Sequence, residues 1–233
     1  MDWRDIKVSE QGNSFIYKDE ILFKKEYDEV LKFHSPGIAP VKDESGWYHI
    51  NVNGFEVYKA RYDRTFGFYF NRASVIQANS WFHIDERGQR LYDENYAWTG
   101  NYQESICSVR GLYNQYFHID LEGNPIYKAK YKFVGDFKDG YACVKQLNGC
   151  YKHIGKKGRF LNDQEFLDLG VFHKSYASAK DKRGWYHIDK DGKELYRDRY
   201  SMVEPFYNGF AVVDTLINTK QIINEKGAVI LEI

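Results

Sequence analysis

The fold is decided by the stretch Gly184-Trp185-Tyr186-His187-Ile188-Asp189-Lys190-Asp191-Gly192-Lys193-Glu194-Leu195-Tyr196. Its core, Tyr-His-Ile-Asp, recurs with small changes at 48–51, 82–85 and 117–120, and a weaker copy lies at 152–155. The histidines at the centre of the copies lie 34, 35, 35 and 34 residues apart, and we call them the imidazole ladder: His49, His83, His118, His153 and His187. A fixed period of this size is typical of a repeat architecture.

Each unit of 34–35 residues contains three short runs in which apolar and polar residues alternate, which is the period of a strand. The sequence therefore predicts one repeat domain over residues 1–233. Its first-strand copies are expected near 47–51, 81–85, 116–120, 151–155, 185–189 and 220–224, with a degenerate N-terminal copy near 13–27.

The first strand of each unit is followed by a turn signature with Asp or Asn in its first position and Gly in its fourth. Asp189-Lys190-Asp191-Gly192 is an example. This pattern predicts a type I turn in which the glycine takes the positive φ that closes a hairpin. The aspartates therefore have a structural role, which argues against a catalytic one.

Two further ladders run in register with the histidines. An aromatic residue recurs in the link after the second strand: Tyr27, Tyr62, Tyr96, Tyr131, Phe166 and Tyr200. A small residue recurs in the third strand: Ala39, Ala73, Cys107, Ala142, Ala177 and Ala211. Small residues at one position of every unit predict a close approach between neighbouring sheets.

The composition excludes several classes of function. The chain has 33 basic and 33 acidic residues, so no net field favours nucleic acid or an anionic membrane as a partner. Three cysteines without metal-ligand spacing indicate a reducing compartment and neither a disulfide framework nor a metal site. The N-terminus lacks an apolar signal core. We therefore expect a cytoplasmic protein without a cofactor.

The period and strand pattern predict an all-β repeat architecture. We expect it to be β-propeller-like, with about six compact blades of three to four strands. The alternative is an open β-solenoid. The propeller is favoured because both faces of each strand carry large side chains, as a blade packed between two others requires. Aromatic residues, which pack well on pleated surfaces, make up 18% of the chain.

These motifs resemble the WG repeats, a bacterial family of short β repeats. Gly46-Trp47, Gly184-Trp185, Ile188-Asp189 and Tyr200 match its pattern, as does the run Phe206-x-x-Gly209-x-Ala211-x-Val213. The chain departs from the family where Tyr or Phe, followed by His, replaces the glycine after Trp. The resemblance implies a binding or scaffolding module. In some members the repeats belong to a longer chain with an enzyme domain such as a methyltransferase.

The imidazole ladder admits a structural and a chemical interpretation. Asp85, Asp120 and Asp189 lie two residues after a histidine, so each carboxylate could orient an imidazole on the same strand face. The structural interpretation is a repeated hydrogen bond from His to Asp or to the backbone that fixes each hairpin, and it is the one we prefer. A shared metal is excluded because equivalent positions of a propeller lie too far apart for ligand distances of about 2 Å.

Candidate ligand-binding residues lie in the basic links and at one unusual tryptophan. Basic side chains beside the link tyrosines could bind carboxylate or phosphate groups. Trp98 breaks the Trp register and is the best candidate for an exposed ring. The full set is Trp98, Lys59, Arg61, Lys128, Lys130, Arg197 and Arg199. The alternative is a solvated face whose basic charge is neutralised by Asp63, Glu94 and Asp198.

Three functions remain open. The leading hypothesis is a non-enzymatic interaction module that binds a protein or peptide partner on one face. The second is a carbohydrate-binding domain, suggested by the aromatic content. The third is an enzyme whose ladder histidines meet at the mouth of a central channel. No catalytic residue is predicted, because nucleophile, phosphate-loop and zinc-protease motifs are missing from the sequence.

Overall fold

The protein is all-β, and its strands form seven small antiparallel sheets of consecutive strands. The computed structural model describes residues 1–233. The first sheet contains β1 (Lys7–Val8), β2 (Phe15–Tyr17) and β3 (Glu20–Ile21). The second contains β4 (Glu29–Val30), β5 (Ile38–Asp43) and β6 (Gly46–Asn51). The third contains β7 (Arg64–Tyr69), β8 (Arg72–Gln77) and β9 (Ser80–Ile84).

The remaining four sheets follow the same plan. The fourth contains β10 (Trp98–Gln103), β11 (Ile106–Arg110) and β12 (Tyr116–Ile119). The fifth contains β13 (Phe133–Val134), β14 (Tyr141–Lys145) and β15 (Tyr151–Gly155). The sixth contains β16 (Asp168–Leu169), β17 (Ala177–Asp181) and β18 (Gly184–Ile188). The seventh has four strands: β19 (Met202–Val203), β20 (Phe210–Asp214), β21 (Lys220–Asn224) and β22 (Val229–Glu232).

The structure has seven sheets where the sequence predicts about six blades. The additional sheet is the first, and it is built from the degenerate N-terminal copy. That copy retains enough pattern to pair, with Val8 opposite Phe15 and Tyr17 opposite Glu20. Phe15 is 1% exposed and stands where the other units carry a ladder histidine. An apolar ring therefore fills the core position that an imidazole fills elsewhere.

The chain divides into two compact units. One comprises residues 1–114 and 119–124 and contains the first three sheets. The other comprises residues 115–118 and 125–233 and contains the last three sheets, while the boundary passes through β12. A single domain over residues 1–233 stays a prediction.

The hairpin turns have the predicted chemistry. In the turn after β18, Gly192 N donates to Asp189 O at 3.0 Å, and Gly192 has a φ of +79°. The Asp189 carboxylate accepts hydrogen bonds from the backbone N–H groups of Asp191 and Lys193, both at 2.9 Å. The turn therefore satisfies its own backbone, which is the local reason for Asp in its first position.

After each hairpin, the link returns to the first strand through its aromatic residue. In the sixth sheet, Trp185 N donates to Tyr200 O at 2.8 Å and Tyr200 N donates to Trp185 O at 3.0 Å. Gly184 precedes this bridge with a φ of +144°, and a Cβ there would lie 2.6 Å from Tyr200 O. Glycine is thus required by both the backbone angle and the close approach.

The core of every complete unit contains the predicted small residue in its third strand. All six ladder positions are at most 3% exposed: Ala39, Ala73, Cys107, Ala142, Ala177 and Ala211. The five alanines each lie opposite an isoleucine of the next strand, as Ala177 lies opposite Ile188. The only helical element is a short 3₁₀ turn (Trp3–Asp5), and none of the structure could span a membrane as a helix.

Candidate functional site

Four of the five ladder imidazoles form hydrogen bonds through both ring nitrogens, and a tyrosine is the partner of Nδ1 in each of the four. His Nδ1 contacts the hydroxyl of the tyrosine nine residues later: Tyr58, Tyr92, Tyr127 and Tyr196. His Nε2 contacts a backbone carbonyl seventeen residues later. That carbonyl lies in or beside the strand that begins the next sheet (β7, β10, β13, β16 or β19), and it belongs to Phe66, Gly100, Gly135, Gly170 or Glu204. Each ring therefore ties its own hairpin to the following sheet.

The carbonyl contact determines the tautomer of the imidazoles. A carbonyl oxygen can only accept, so Nε2 carries the proton and Nδ1 is the acceptor. The tyrosine hydroxyl must then donate to Nδ1. Burial lowers the pKa of the ladder histidines to about 4, so the rings are neutral at neutral pH: His49, His83, His118, His153 and His187.

The imidazoles do not use the aspartates that follow them in the sequence. Asp85 Oδ1 accepts from the backbone N–H groups of Arg87 and Gln89, at 2.9 and 2.8 Å, and so holds the turn. Of the two hydrogen bonds considered from sequence, the one to the backbone is present and the one to Asp is not. The tyrosine partners were missed, although Tyr recurs nine residues after His in four of the five copies.

The fifth sheet breaks this pattern. The residue nine positions after His153 is Asn162, whose side-chain Nδ2 donates to Asp191 O at 3.1 Å. His153 Nε2 still donates to Gly170 O at 2.8 Å, but Nδ1 has no protein partner. His153 is 3% exposed. The fifth sheet therefore lacks the contact between tyrosine and imidazole that the other four ladder histidines make.

A polar cleft of about 600 Å³ lies between the fifth and sixth sheets, and we call it the Asn162 groove. Its walls carry four acidic and three basic side chains, so both signs of charge are presented together. The lining residues are Asn162, Gln164, Glu165, Asp181, Arg183, Tyr186, Asp191, Gly192, Lys193, Glu194 and Arg199. The groove therefore brings together one sequence-predicted candidate, Arg199, and several residues that the sequence did not single out.

Arg199 is the best-fixed charge of the groove. Its side chain is 6% exposed and contacts Asp181 at 2.9 Å and Glu194 at 2.7 Å. Its guanidinium carbon lies 3.6 Å from the centre of the Tyr186 ring. Burial opposes the charge, but the hydrogen bonds to Glu194 and Asp181 outweigh burial and raise the pKa of Arg199. The cation is therefore held by a stacked ring and two carboxylates.

The same clamp recurs at Arg61 in the second sheet. Arg61 donates to Glu56 Oε1 at 2.7 Å and to Ser45 Oγ at 2.7 Å, and its guanidinium lies 3.8 Å from the centre of the Tyr48 ring. Arg61 and Arg199 are thus engaged within their own units. This finding agrees with the alternative that carboxylates neutralise the basic links, although Glu56 and Glu194 do so in place of the acidic residues considered from sequence.

The other basic candidates differ in exposure. Lys59, Lys128 and Arg197 are exposed. Lys130 is half-buried, its Nζ lies 2.9 Å from the centre of the Phe117 ring, and burial lowers its pKa. A ligand-binding role for these four residues stays a prediction.

Trp98 lies in β10 and is half-buried. A Cβ at Gly100 would lie 3.0 Å from the edge of the Trp98 ring, so the indole covers the glycine. Part of the ring is thus used for packing. Carbohydrate binding at Trp98 stays a prediction.

A cluster that resembles a nucleophile pair lies sealed in the core. Ser74 Oγ lies 3.1 Å from His83 Nε2 and donates to Gly100 O at 2.9 Å, while Thr99 Oγ1 donates to Ser74 Oγ at 2.9 Å. Ser74, His83 and Thr99 are at most 3% exposed. A substrate could not reach them in this conformation. No group of three His, Cys, Asp or Glu residues is arranged to hold a metal ion.

The repeat geometry agrees with a comparison of the sequence with family models. The model of the WG containing repeat matches residues 118–150 and 188–214. Two regions of the chain thus match the WG repeat. Each matched region begins at the first strand of a WG repeat and ends after the third. The unit between them, which carries Asn162, lies outside the match. No sequence match was found among curated proteins.

Solved structures resemble the chain in fold. BamB from Moraxella catarrhalis is 13% identical with a TM-score of 0.52, over 94% of this chain and 76% of that one. Hsv2 of Kluyveromyces lactis is 9% identical with a TM-score of 0.51, over 91% and 87%. A eukaryotic initiation factor is 11% identical with a TM-score of 0.58, over 91% and 66%. These neighbours are β-propellers, so the seven sheets of the WG-repeat chain are propeller-like blades and the solenoid alternative is not favoured.

Proposed function

We propose that this chain is a non-enzymatic WG-repeat interaction module that binds a protein or peptide partner at the Asn162 groove. The observation that carries the proposal is the groove itself, an open polar cleft that presents charges of both signs and in which Arg199 is held between Asp181 and Glu194. The proposed setting is the cytoplasm of a bacterium.

A polypeptide suits the chemistry of this groove. Arg183 and Lys193 are 63% and 77% exposed on their side chains and can pair with acidic groups. Glu165 and Asp191 are exposed and can accept from a partner's N–H groups. A peptide presents donors, acceptors and charges of both signs at short spacing, whereas nucleic acid would require a predominantly basic surface.

The ionisation of the groove supports binding and not proton transfer. Burial alone would raise the pKa of Asp181, but hydrogen bonds from the Arg183 backbone and the Arg199 side chain outweigh burial and lower it. Hydrogen bonds from Gln146 and Asn148 lower the pKa of Glu165. A general acid or base needs a pKa near the working pH, and these groups are shifted away from it. They act as permanent charges.

The test is selection from a peptide library displayed on phage, with the purified chain as the target. We expect a sequence motif to be enriched, and we expect the double variant Arg183→Glu, Lys193→Glu to lose it. The matched control is Lys157→Glu, Lys226→Glu. It reverses the charge of two exposed turn lysines that lie outside the groove but in the same compact half of the chain, residues 125–233. Absence of any enriched motif, or equal enrichment by both double variants, would contradict the proposal. Hydrolase or transferase activity that follows the chain through repurification would also contradict it.

A further inference from the structure

We propose that the Asn162 groove binds a lysine side chain of the partner, whose ammonium group contacts the Tyr186 hydroxyl and the Asp181 carboxylate. This inference rests on the proposed function and names the chemistry of the partner at the same site. It starts from a second copy of these two residues in the chain, where the protein supplies the ammonium group itself.

The second and sixth sheets share one sequence motif. Residues 42–50 and 180–188 are identical at seven of nine positions, and both read Lys-Asp-x-x-Gly-Trp-Tyr-His-Ile. No other sheet has both the aspartate and the tyrosine of this motif. The aspartate and the tyrosine are Asp43 and Tyr48 in the second sheet and Asp181 and Tyr186 in the sixth.

In the second sheet, a lysine from the preceding link binds this aspartate and this tyrosine. Lys25 Nζ donates to Asp43 Oδ2 at 2.7 Å and contacts the Tyr48 hydroxyl at 2.9 Å. The hydroxyl donates to the same carboxylate oxygen at 2.8 Å. These hydrogen bonds raise the pKa of Lys25, so the bound group is an ammonium ion at neutral pH. Two acceptors this close together suit the point charge of an ammonium group better than a planar guanidinium.

The sixth sheet retains the aspartate and the tyrosine but has no such lysine. In the second sheet the lysine lies two residues before the aromatic residue of its link, and the link before the sixth sheet carries Gln164 at that position. Gln164 lines the groove, and its only hydrogen bond runs from its backbone N–H to Asn162 Oδ1 at 3.0 Å. The preceding link therefore gives neither Asp181 nor Tyr186 a partner.

The Tyr186 hydroxyl is the unpaired group of this site. Tyr186 is 2% exposed, and its hydroxyl forms no hydrogen bond within the protein, whereas the Tyr48 hydroxyl forms two. Tyr186 and Asp181 both line the groove, so a ligand in the groove can contact both. A nearly buried hydroxyl gains more from a new partner than an exposed one, because water competes less.

The groove has the room and the charge for a lysine side chain. Its volume of about 600 Å³ accommodates a flexible four-carbon stem and an ammonium group. Four acidic and three basic side chains line it, so its net charge attracts a cation. One of the basic side chains, Arg199, is already held by Asp181 and Glu194 within the sixth sheet.

Arg183 is the residue that competes for this site. It lies where the second sheet has Ser45, and its guanidinium contacts Asp181 Oδ2 at 3.3 Å. The Arg183 side chain is 63% exposed, and an ion pair of this length and exposure contributes little. A partner's ammonium group can therefore displace it. The released Arg183 is then available to an acidic residue of the partner next to the lysine.

The first test uses n-butylammonium, which is the end of the lysine side chain, with 1-butanol as the analogue without a charge. Binding is followed by NMR through the ring resonances of Tyr186. We expect n-butylammonium to cause a saturable shift, and 1-butanol to bind about tenfold more weakly because its hydrogen bonds are not charge-assisted. Equal binding of the two compounds, or no shift with n-butylammonium, would overturn the inference.

A substitution in the link tests the site independently. Gln164→Lys supplies the lysine that the second sheet has, so it should abolish the shift of Tyr186 by n-butylammonium and raise the urea midpoint of unfolding. Leu216→Lys is the matched control, since it adds the same charge at a position that is 63% exposed and outside the groove. It should leave n-butylammonium binding unchanged. Retained binding by Gln164→Lys would refute the site.

The reverse substitution tests the comparison with the second sheet. Lys25→Gln removes the internal ammonium group, and the Lys25 side chain is 52% exposed, so the fold should be retained. In this variant n-butylammonium should shift the ring resonances of Tyr48, which it should not do in the unchanged protein. If Tyr48 did not respond in the Lys25→Gln variant, the second sheet would be the wrong guide to the groove.

The peptide library separates this inference from the proposed function. Enriched peptides that bind equally well after replacement of every lysine by norleucine, and that are lost on reversal of Arg183 and Lys193, would leave the interaction module standing and refute the lysine site. Binding of n-butylammonium at Tyr186 without any enriched peptide would support the ammonium site and refute the peptide partner.

Discussion

The Tyr196 hydroxyl donates to His187 Nδ1 at 2.5 Å, while Nε2 of the same ring donates to Glu204 O at 2.9 Å. One buried imidazole thus accepts a hydrogen bond from its own hairpin and donates one to the next sheet. The contact joins elements that lie nine and seventeen residues away along the chain. The stability of neighbouring sheets is therefore coupled through a neutral histidine.

Tyr196→Phe should destabilise the protein by about 1–3 kcal/mol, because it leaves His187 Nδ1 as a buried acceptor without a donor. The ring remains, so packing is unchanged. The urea midpoint of unfolding measures the effect. Tyr113→Phe is the control: Tyr113 is 91% exposed, so the change should stay within about 0.5 kcal/mol. Equal midpoints for the two variants would show that the hydroxyl contact contributes nothing.

Stability should fall as the pH decreases from about 6.5 to 4. Burial lowers the pKa of each ladder histidine to about 4 in the folded state, against about 6.5 in the unfolded chain. Between these values the unfolded chain takes up protons that the folded chain does not, so the free energy of unfolding decreases. The stabilisation is fully present above pH 6.5, and below pH 4 each ring has lost about 3 kcal/mol of it.

Thermal unfolding at a series of pH values from 8 to 4 measures this dependence. Because five rings contribute in the same direction, we expect the melting temperature to fall steeply across this range. NMR titration of the folded protein should show neutral ladder imidazoles at pH 6. A melting temperature that is flat between pH 7 and 5 would disprove the buried, neutral state of the ladder.

Gly184→Ala should destabilise the sixth sheet more than Gly209→Ala. Both glycines have a positive φ, so each substitution adds backbone strain of about 1–3 kcal/mol. Only at Gly184 would the new Cβ meet backbone, 2.6 Å from Tyr200 O, whereas nothing lies within 4 Å at Gly209. The clash adds about 1–3 kcal/mol. Chemical denaturation compares the two, and a larger effect at Gly209 would contradict the bridge geometry.

Arg199→Ala should destabilise the protein by about 1–3 kcal/mol, because it removes the hydrogen bonds of a nearly buried cation to Asp181 and Glu194 and its stack on Tyr186. Arg197→Ala should change stability by less than about 0.5 kcal/mol, since Arg197 is exposed. The difference between the urea midpoints of the two variants measures how much the contacts of Arg199 stabilise the protein. If Arg197→Ala were the more damaging of the two, the assignment of Arg199 as the fixed cation would be wrong.

The fold could be predicted from sequence because its determinants are local and repeated. The spacing of the histidines predicts the strands, and Asp189 with Gly192 predicts the turn, since both signals lie within a few residues of the structure that they form. The first sheet was harder to predict because the copy with Phe15 lacks the histidine that marks the others.

The candidate site could not be predicted to the same extent, because it depends on contacts between sheets. Strand alternation shows that His187 and Asp189 share a face, but it does not show that Tyr196 reaches back to the imidazole. Nor does it show that Asp181 and Glu194 both bind Arg199. The sequence did contain one usable signal: Tyr recurs nine residues after His in four copies, and Asn162 replaces it in the fifth.

The hydrogen bonds of the imidazole ladder also bear on how such a protein could change its length. Every complete unit contributes one acceptor carbonyl to the unit before it and one imidazole to the unit after it. Duplication or loss of a whole unit therefore conserves the number of paired groups, whereas a break inside a unit leaves one buried polar atom unmatched. The two copies without an imidazole carry Phe15 and Ile222, which need no partner. Natural or engineered variants with added repeats should thus tolerate steps of 34 or 35 residues and reject fractions of them.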